Sequence, residues 1–228
     1  TRLPQKVLRP FYEGKCILEL LISKLNQIAN TKIIIATSLN AENNIIEQFC
    51  KEHSVICFRG EENDVLKRFV DAANAYGIDH IIRVCSDNPF LELNSIKKLV
   101  EVINKTDAEY IGFHVNNSPA IKTHFGFWTE YVSLGALKRV QCLTDNPIYH
   151  EHVTNYIYSN PTIFNVQWID GPICLRVDTN EDFTNAQHIY AELCKQNPYP
   201  TIDEVVSYLN EHPDIYNLMV QQINKNSK

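Results

Sequence analysis

Residues 55–85 read VICFRGEENDVLKRFVDAANAYGIDHIIRVC and alternate two kinds of segment. The short apolar runs at 55–59 and 80–85 are rich in β-branched residues, which is typical of buried strands. Between them, residues 64–76 have the apolar spacing of an amphipathic helix, and Gly77 follows as a helix-ending residue. A strand, a helix and a strand in this order predict a βαβ unit with parallel strands.

The same alternation runs through the first half of the chain and predicts an α/β fold with a doubly wound, mostly parallel sheet. Further strands are predicted at residues 32–37, 109–113, 162–168 and 173–177. Further helices are predicted at residues 16–28, 41–53, 93–104, 133–141, 149–158, 181–195, 201–210 and 214–224. Residues 114–168 interrupt the pattern and are interpreted as an insertion that lies across the sheet or forms an arm, within a single domain of residues 1–228.

Composition narrows the possible functions. The formal net charge of −6 and the lack of a long basic run argue against a general affinity for nucleic acids. No segment has the roughly 18 to 20 consecutive apolar residues that cross a bilayer, and none resembles a signal peptide, so we expect a soluble, cytoplasmic protein without membrane contact. The 7 cysteines are scattered singly, which favours reduced core thiols over disulfides or zinc. His150 and His152 do not suggest zinc either, because alternate residues of a helix point about 200° apart.

Two aspartates follow apolar segments of the predicted sheet. Asp87 comes directly after the strand at 80–85, and Asp178 comes directly after the strand at 173–177. Ligands of open α/β sheets bind outside the carboxyl ends of the strands, and Mg²⁺ takes one or two carboxylates beside substrate phosphates. Taken alone, Asp87 is equally well explained as the cap of a turn, and Asp178 is better explained as a helix cap, but the pair favours a metal site.

The first residues of the chain contain two cations four positions apart. Arg2 and Lys6 flank Pro4, and this spacing fits a loop whose cations converge on phosphate oxygens. An ordinary surface loop explains the same spacing. The segment by itself leaves both interpretations open.

Six motifs in order resemble the cytidylyltransferases of the spore coat polysaccharide biosynthesis protein F type, relatives of the synthetases of CMP-linked 3-deoxy-manno-octulosonate and CMP-sialic acid. The motifs are TRLPQK at 1–6, ATSLNAEN at 36–43, FRGEENDVLKRF at 58–69, SDNPFL at 86–91, EHVTNYIYSNP at 151–161 and LRVDTNEDF at 175–183. The resemblance covers nearly the whole chain and implies a Rossmann-like fold of the nucleotide-diphospho-sugar transferase type.

The resemblance also implies roles for individual residues. The implied catalytic residues are Arg2, Lys6, Asp87 and Asp178, of which the two aspartates hold Mg²⁺. The implied nucleotide-binding residues are Arg2, Lys6, Thr37, Ser38, Arg59, Ser86 and Asp87. Candidates for binding the second substrate are His114, His124, His150 and Glu151, in the segment 114–168 that we also expect to supply a homodimer contact. Two positions depart from the family pattern: Gln5 stands where the family usually has glycine, and His150 where it usually has arginine.

The activity implied by the resemblance is transfer of CMP from CTP to a small acidic sugar or related acid, with release of pyrophosphate, for surface polysaccharide or glycan synthesis. Two alternatives remain at this point: a non-catalytic relative that binds a nucleotide, and a glycosyltransferase of similar fold. The second normally carries an Asp-x-Asp sequence, which this chain lacks.

The beginning of the family pattern leads to one more expectation. In the family, a short apolar strand and the first half of the phosphate-binding loop come before the position of Thr1, so we expect them to precede it in the native polypeptide. A doubly wound sheet without that central strand leaves two rows of backbone groups unpaired, each costing roughly 1 to 3 kcal/mol if buried. We therefore expect a fragment that begins at Thr1 to fold poorly.

Overall fold

The computed structural model describes residues 5–115, 118–122, 128–170, 180–215 and 217–218. The strands are β1 Pro10–Tyr12, β2 Lys15–Cys16, β3 Ile34–Ser38, β4 Ile56–Gly60, β5 His80–Arg83, β6 Tyr110–Val115, β7 Ser118–Pro119, β8 Glu130–Ser133 and β9 Val166–Asp170. The α-helices are α1 Ile17–Leu25, α2 Asn44–Glu52, α3 Val65–Tyr76, α4 Leu93–Ile103, α5 Leu134–Leu143, α6 Pro147–Glu151, α7 Asn155–Ser159, α8 Asn180–Cys194 and α9 Ile202–Glu211. Short 3₁₀ turns occupy Lys6–Leu8, Ala41–Asn43 and Ala120–Lys122.

The strands follow the predicted α/β order. β3 and β4 form a parallel pair, in which Ile34 lies opposite Ile56 and Ser38 opposite Gly60. In the larger sheet, β8 lies between β5 and β6 and is antiparallel to both, while β9 is parallel to β6. β5, β6 and β9 therefore run in one direction, and β8 and the two-residue β7 run against them.

Helices cover both faces of the larger sheet, as a doubly wound fold requires. Successive residues of a strand point to opposite faces, and β5 shows this with its two central isoleucines. Ile82 packs against the core cluster that contains Ile17 of α1 and Tyr190 of α8. Ile81 packs against the cluster that contains Leu66 of α3. The two isoleucines are partly buried, one on each face, which fits the apolar run from which the strand was predicted.

Helix α3 begins and ends where the sequence predicts. The side chain of Asp64 accepts a hydrogen bond from the backbone N–H of Lys67 and caps the first turn. Gly77 has the left-handed φ of 63° that commonly ends a helix. The helix therefore has a specific stop signal at each end.

A cavity of about 1080 Å³ lies between β3 and β5. Among the described residues, β3 pairs with β4 alone and β5 pairs with β8 alone, so each strand has one unpaired edge. Residues 33–37 on one side and 80–87 on the other line this cavity.

Two elements between residues 114 and 168 differ from the predictions. The helix predicted at 149–158 is divided into α6 and α7, because His152 leaves the helical conformation at ψ 55° and Thr154 turns inward with 1% of its surface exposed. The strand β8 was not predicted, since its four residues begin with a charged Glu130. β8 and β9 are strands of the larger sheet, and α5 packs in its core. These elements are therefore not part of an arm.

Two predicted elements lie outside the described residues, wholly or in part: the strand at 173–177 and most of the helix at 214–224. In the described part of the chain, no helix is both long enough and apolar enough to cross a membrane.

Candidate active site

Lys6 and Asp87 form an ion pair beside the cavity between β3 and β5. Lys6 Nζ lies 2.6 Å from Asp87 Oδ2, and the two side chains are 14% and 20% exposed. Lys6 begins the first 3₁₀ turn, and Asp87 stands in the loop that joins β5 to α4. The structure thus brings together a cation and a carboxylate that the sequence analysis assigned to the same site.

The residue before Lys6 has an unusual backbone conformation. Gln5 has φ 52° and ψ 24°, in the left-handed region. Glycine adopts this region at no steric cost, whereas other residues pay roughly 1 to 2 kcal/mol. The carbonyl of Gln5 accepts a hydrogen bond from the backbone N–H of Leu8, which closes the turn. The turn needs a left-handed residue, which explains why the family usually has glycine at this position. Gln5 adopts the same conformation with some backbone strain.

Two more predicted nucleotide-binding residues line the same cavity as Lys6 and Asp87. Thr37 lies near the carboxyl end of β3, and Ser86 follows β5. This is the side of an open α/β sheet on which ligands bind. The four residues line the same cavity, and among them Lys6 and Asp87 are in direct contact.

Arg59 is held by protein acceptors. Its guanidinium donates to the carbonyls of Ser38 and Asn40 at 3.0 and 2.7 Å, and to the side chains of Asn44 and Glu47 at 2.6 and 2.9 Å. These contacts tie the end of β4 to the segment between β3 and α2. Ser38, which is 6% exposed, takes part through its backbone. The family resemblance implied that Arg59 and Ser38 bind the nucleotide. In the structure, both form hydrogen bonds with groups of the protein itself.

His150 is bound on both sides of its ring. Nδ1 lies 2.8 Å from Asp64 Oδ2, and Nε2 lies 3.0 Å from the carbonyl oxygen of Thr144. The Thr144 carbonyl, followed by the Asp64 carboxylate, raises the pKa of His150. Because a carbonyl and a carboxylate only accept, the fully bonded ring is the imidazolium with two N–H donors. His150 thus links α6 to the end of α5 and to the start of α3, and it does not line the cavity that contains Lys6 and Asp87.

The remaining predicted substrate residues are separate from this cluster. His114 stacks on Trp168 with ring centroids 4.0 Å apart and planes 13° apart, while Glu151 ends α6 and is exposed. Neither lines the cavity. Arg2, His124 and Asp178 lie outside the described residues.

The side chains of the described residues show whether they could hold the expected Mg²⁺. Within the described ranges, no three His, Cys, Asp or Glu side chains lie close enough together to hold a metal ion. Asp87 offers one partly exposed carboxylate beside the cavity. Mg²⁺ bound to a nucleotide takes most of its ligands from phosphates and water, so a single protein carboxylate suits it and would not suit a zinc site.

A buried polar network centred on Glu130 was not predicted from the sequence. Glu130, 3% exposed, pairs with Arg83 Nε at 2.5 Å and accepts from the hydroxyls of Tyr110 at 2.8 Å and Thr154 at 2.9 Å. Burial, reinforced by the Glu130 charge, raises the pKa of Tyr110. Thr154 belongs to the motif at 151–161, so the network attaches that motif to three strands of the sheet. The sequence signal for this network was Thr154, a polar residue of that motif to which no function had been assigned.

Comparison with solved structures identifies the class of fold. A cytidylyltransferase from Leptospira borgpetersenii serovar Hardjo-bovis superposes with a TM-score of 0.80 at 22% identity, covering 94% of this chain and 91% of that one. A CMP:2-keto-3-deoxy-manno-octonic acid synthetase complexed with CTP superposes with a TM-score of 0.64 at 14% identity, covering 83% and 92%. The chain therefore has the Rossmann-like fold of nucleotide-diphospho-sugar transferases, which confirms the predicted fold class.

Sequence comparison then identifies the family. The chain is 31% identical over 229 residues to the spore coat polysaccharide biosynthesis protein SpsF of Bacillus subtilis, covering 94% of this chain and 91% of that protein. It is 33% identical over 227 residues to an uncharacterized protein of Methanocaldococcus jannaschii, covering 95% and 88%. The sequence model of the cytidylyltransferase family matches residues 1–225, and the chain belongs to this family of nucleotidyltransferases.

Proposed function

We propose that this cytidylyltransferase transfers CMP from CTP to a hydroxyl of a small acidic sugar or related acid, in a Mg²⁺-dependent reaction that serves surface polysaccharide or glycan synthesis. The name of the Bacillus subtilis relative supports the setting, and the synthetase complexed with CTP supports an acidic acceptor. The observation that carries the proposal is the contact between Lys6 and Asp87 at the strand ends. The cytoplasm is the proposed location.

The proposed roles follow from the charges of the two residues. When CTP binds, Lys6 exchanges the Asp87 carboxylate for oxygens of the leaving pyrophosphate, and Arg2 contributes a second positive charge there. Asp87 is then available, with Asp178, to hold Mg²⁺. Thr37 and Ser86 lie on the same cavity and are suited to hydrogen-bond the nucleotide.

The reaction is an in-line displacement. The acceptor oxygen forms a bond to the α-phosphorus as the bond from that phosphorus to the pyrophosphate oxygen breaks, and the hydroxyl proton passes to water. Mg²⁺, when bound, supplies Lewis-acid activation of the α-phosphate and lowers the pKa of the alcohol. The protein's part is to position the reactants and neutralise charge, so no side chain is assigned as a general base.

A screen for pyrophosphate release tests the proposal. Each of the four nucleoside triphosphates is combined with a panel of acidic sugars and related acids, with and without EDTA. We expect release with CTP and an acidic acceptor, and loss of release with EDTA or in Asp87→Asn. Equal release with all four nucleotides, or full activity of Asp87→Asn, would contradict the proposal.

A further inference from the structure

Lys24 is a buried lysine in the last turn of α1. Its relative exposure is 1%, and its Nζ lies 5.3 Å from the ring centroid of Tyr190. Leu20 and Leu21 on the same helix are also buried in the apolar core. An ammonium group is costly to bury unless acceptors replace its water, so its hydrogen-bond partners explain why it is tolerated there.

The partners of Lys24 belong to the loop that joins β5 to α4. Nζ donates to the carbonyl oxygen of Pro89 at 2.8 Å and to that of Leu91 at 3.4 Å. The same loop carries Asp87, two residues before Pro89. Glu92, whose charge also acts on Lys24, uses its carboxylate to cap the first turn of α4. The lysine therefore binds the backbone of the loop from the core side.

Burying the ammonium group of Lys24 has a cost in free energy. Burial lowers the pKa of Lys24 to about 8, against weaker opposing effects of Cys194 and Glu92. An apolar side chain of similar length would fill the same volume without the desolvation cost, but the carbonyls of Pro89 and Leu91 would then lose their donor, which also costs stability. What an apolar side chain cannot do is donate to the two carbonyls of the loop.

We propose that Lys24 is a positioning residue for nucleotidyl transfer. By holding the carbonyls of Pro89 and Leu91, it fixes the loop so that Asp87 faces Lys6 and the bound nucleotide. Lys6 contacts the loop at its carboxylate and Lys24 contacts it at its backbone, so the loop is held at two points. This inference rests on the proposed role of Asp87.

The test compares Lys24→Met, which keeps the length but removes the donors, with Lys24→Gln, which keeps N–H donors on a shorter chain. We expect Lys24→Met to have a lower Tm, because two carbonyls lose their donor, and to bind Mn²⁺ in the presence of CTP about 10-fold or more weakly, measured by electron paramagnetic resonance at a temperature where the variant is folded. Without metal or nucleotide, amide hydrogen exchange in residues 86–92 is expected to become faster. Lys24→Gln is expected to recover part of both losses.

Two further variants make the outcomes distinct. Lys51→Met removes an exposed lysine from the last turn of α2 and is expected to match wild type in all three measurements. Asp87→Asn is the reference for the site. If Asp87→Asn loses Mn²⁺ affinity while Lys24→Met keeps it, the role of Lys24 is overturned and the proposed function stands. If Asp87→Asn keeps wild-type affinity, the role of Asp87 fails and the inference fails with it.

A folding defect in Lys24→Met would not end the test. Lys24→Gln then decides alone, because a loop held by fewer or longer hydrogen bonds must exchange faster. Wild-type Mn²⁺ affinity together with wild-type exchange in residues 86–92 of Lys24→Gln would overturn the inference.

Discussion

Gln5 sets the backbone of the turn that presents Lys6. Its left-handed φ of 52° costs a non-glycine residue roughly 1 to 2 kcal/mol, while glycine loses about 0.5 to 1 kcal/mol more chain entropy on folding. We therefore expect Gln5→Gly to raise the free energy of unfolding by up to about 1 kcal/mol, measured by urea denaturation. CTP affinity is expected to remain close to wild type, because the turn keeps its shape.

A matched control for Gln5 is available elsewhere in the chain. Ser54 has a similar φ of 55° in the turn after α2 and does not line the cavity. Ser54→Gly should give a comparable gain in stability and no change in CTP affinity. A loss of stability in Gln5→Gly, with a gain in Ser54→Gly, would show that the Gln5 side chain makes compensating contacts.

Lys6 is expected to act on the phosphates of CTP and not on its base. Lys6→Ala removes a charge-assisted contact of about 1.5 to 3 kcal/mol, so CTP affinity should fall about 10- to 100-fold in calorimetry. Binding of cytidine, which lacks phosphates, should be unchanged. The exposed Lys15 on β2 provides the control, since Lys15→Ala should bind both ligands as wild type does. Equal losses for CTP and cytidine would remove the phosphate role.

His150 gives the unfolding free energy a dependence on pH. Its pKa is raised in the folded protein, first by the Thr144 carbonyl and then by Asp64, with Asp145 adding to the effect. The stabilisation is therefore fully present below the ordinary histidine pKa of about 6.5, and it is lost as pH rises through the folded pKa. Thermal unfolding from about pH 6 to about pH 9 measures this loss.

A substitution at His150 and a control at His152 test whether the titration of His150 causes this pH dependence. His150→Arg places a permanent cation between Asp64 and Thr144, so we expect Tm to become less dependent on pH in this interval. His152→Gln changes an exposed histidine nearby and should leave the pH dependence as it is. The interpretation is wrong if His150→Arg shows the same fall in Tm with rising pH as wild type.

At the scale of single elements, local sequence signals were sufficient to predict an element wherever the packing of the fold agrees with them. Helix α3 was predictable at both ends because Asp64 caps it and Gly77 ends it with a left-handed residue. The place of Asp87 was predictable because it lies in the loop after β5, and the run of residues 80–85 predicted that strand. Pairing with Lys6 was not predictable from either segment, because it depends on how the loop after β5 packs against the first turn.

The elements that were missed depend on contacts between distant segments. β8 has four residues and starts with Glu130, which is buried only because Arg83, Tyr110 and Thr154 satisfy it. A buried carboxylate lowers the apolar content of its strand. The pattern of apolar residues therefore does not reveal β8 as a strand. The division between α6 and α7 has the same cause, since the inward turn at Thr154 is made by its bond to Glu130.

Lys24 and Arg59 illustrate the same limit for side chains. Lys24 stands on the apolar face of α1, four positions after Leu20, and this mismatch was the available signal of a buried polar contact. Arg59 lies at a strand end, where a ligand-binding residue is reasonable. It forms four hydrogen bonds, and local sequence does not predict them because the partners are 12 to 21 positions earlier in the chain. The partners are Ser38, Asn40, Asn44 and Glu47.

At the scale of the whole molecule, exposed apolar side chains lie on and beside the helices between β8 and β9. Leu143 at the end of α5, Ile148 in α6 and Ile163 after α7 are 48%, 58% and 43% exposed. Arg139, one turn before Leu143, donates to the carbonyl of Ile163, which places α5 beside the segment after α7. We define these three residues as the 143–163 surface and propose that it supplies the homodimer contact expected within residues 114–168.

The last prediction concerns this surface. If two copies bury it against each other, a charge at its most exposed residue must be desolvated in the interface, so Ile148→Glu should convert a dimer to a monomer. Sedimentation at micromolar concentration measures the change. Leu39→Glu is the matched control, because Leu39 is an apolar residue of 67% exposure outside residues 114–168, and this variant should remain dimeric. A wild-type monomer, or a dimer that survives in Ile148→Glu and dissociates in Leu39→Glu, would contradict the proposed contact.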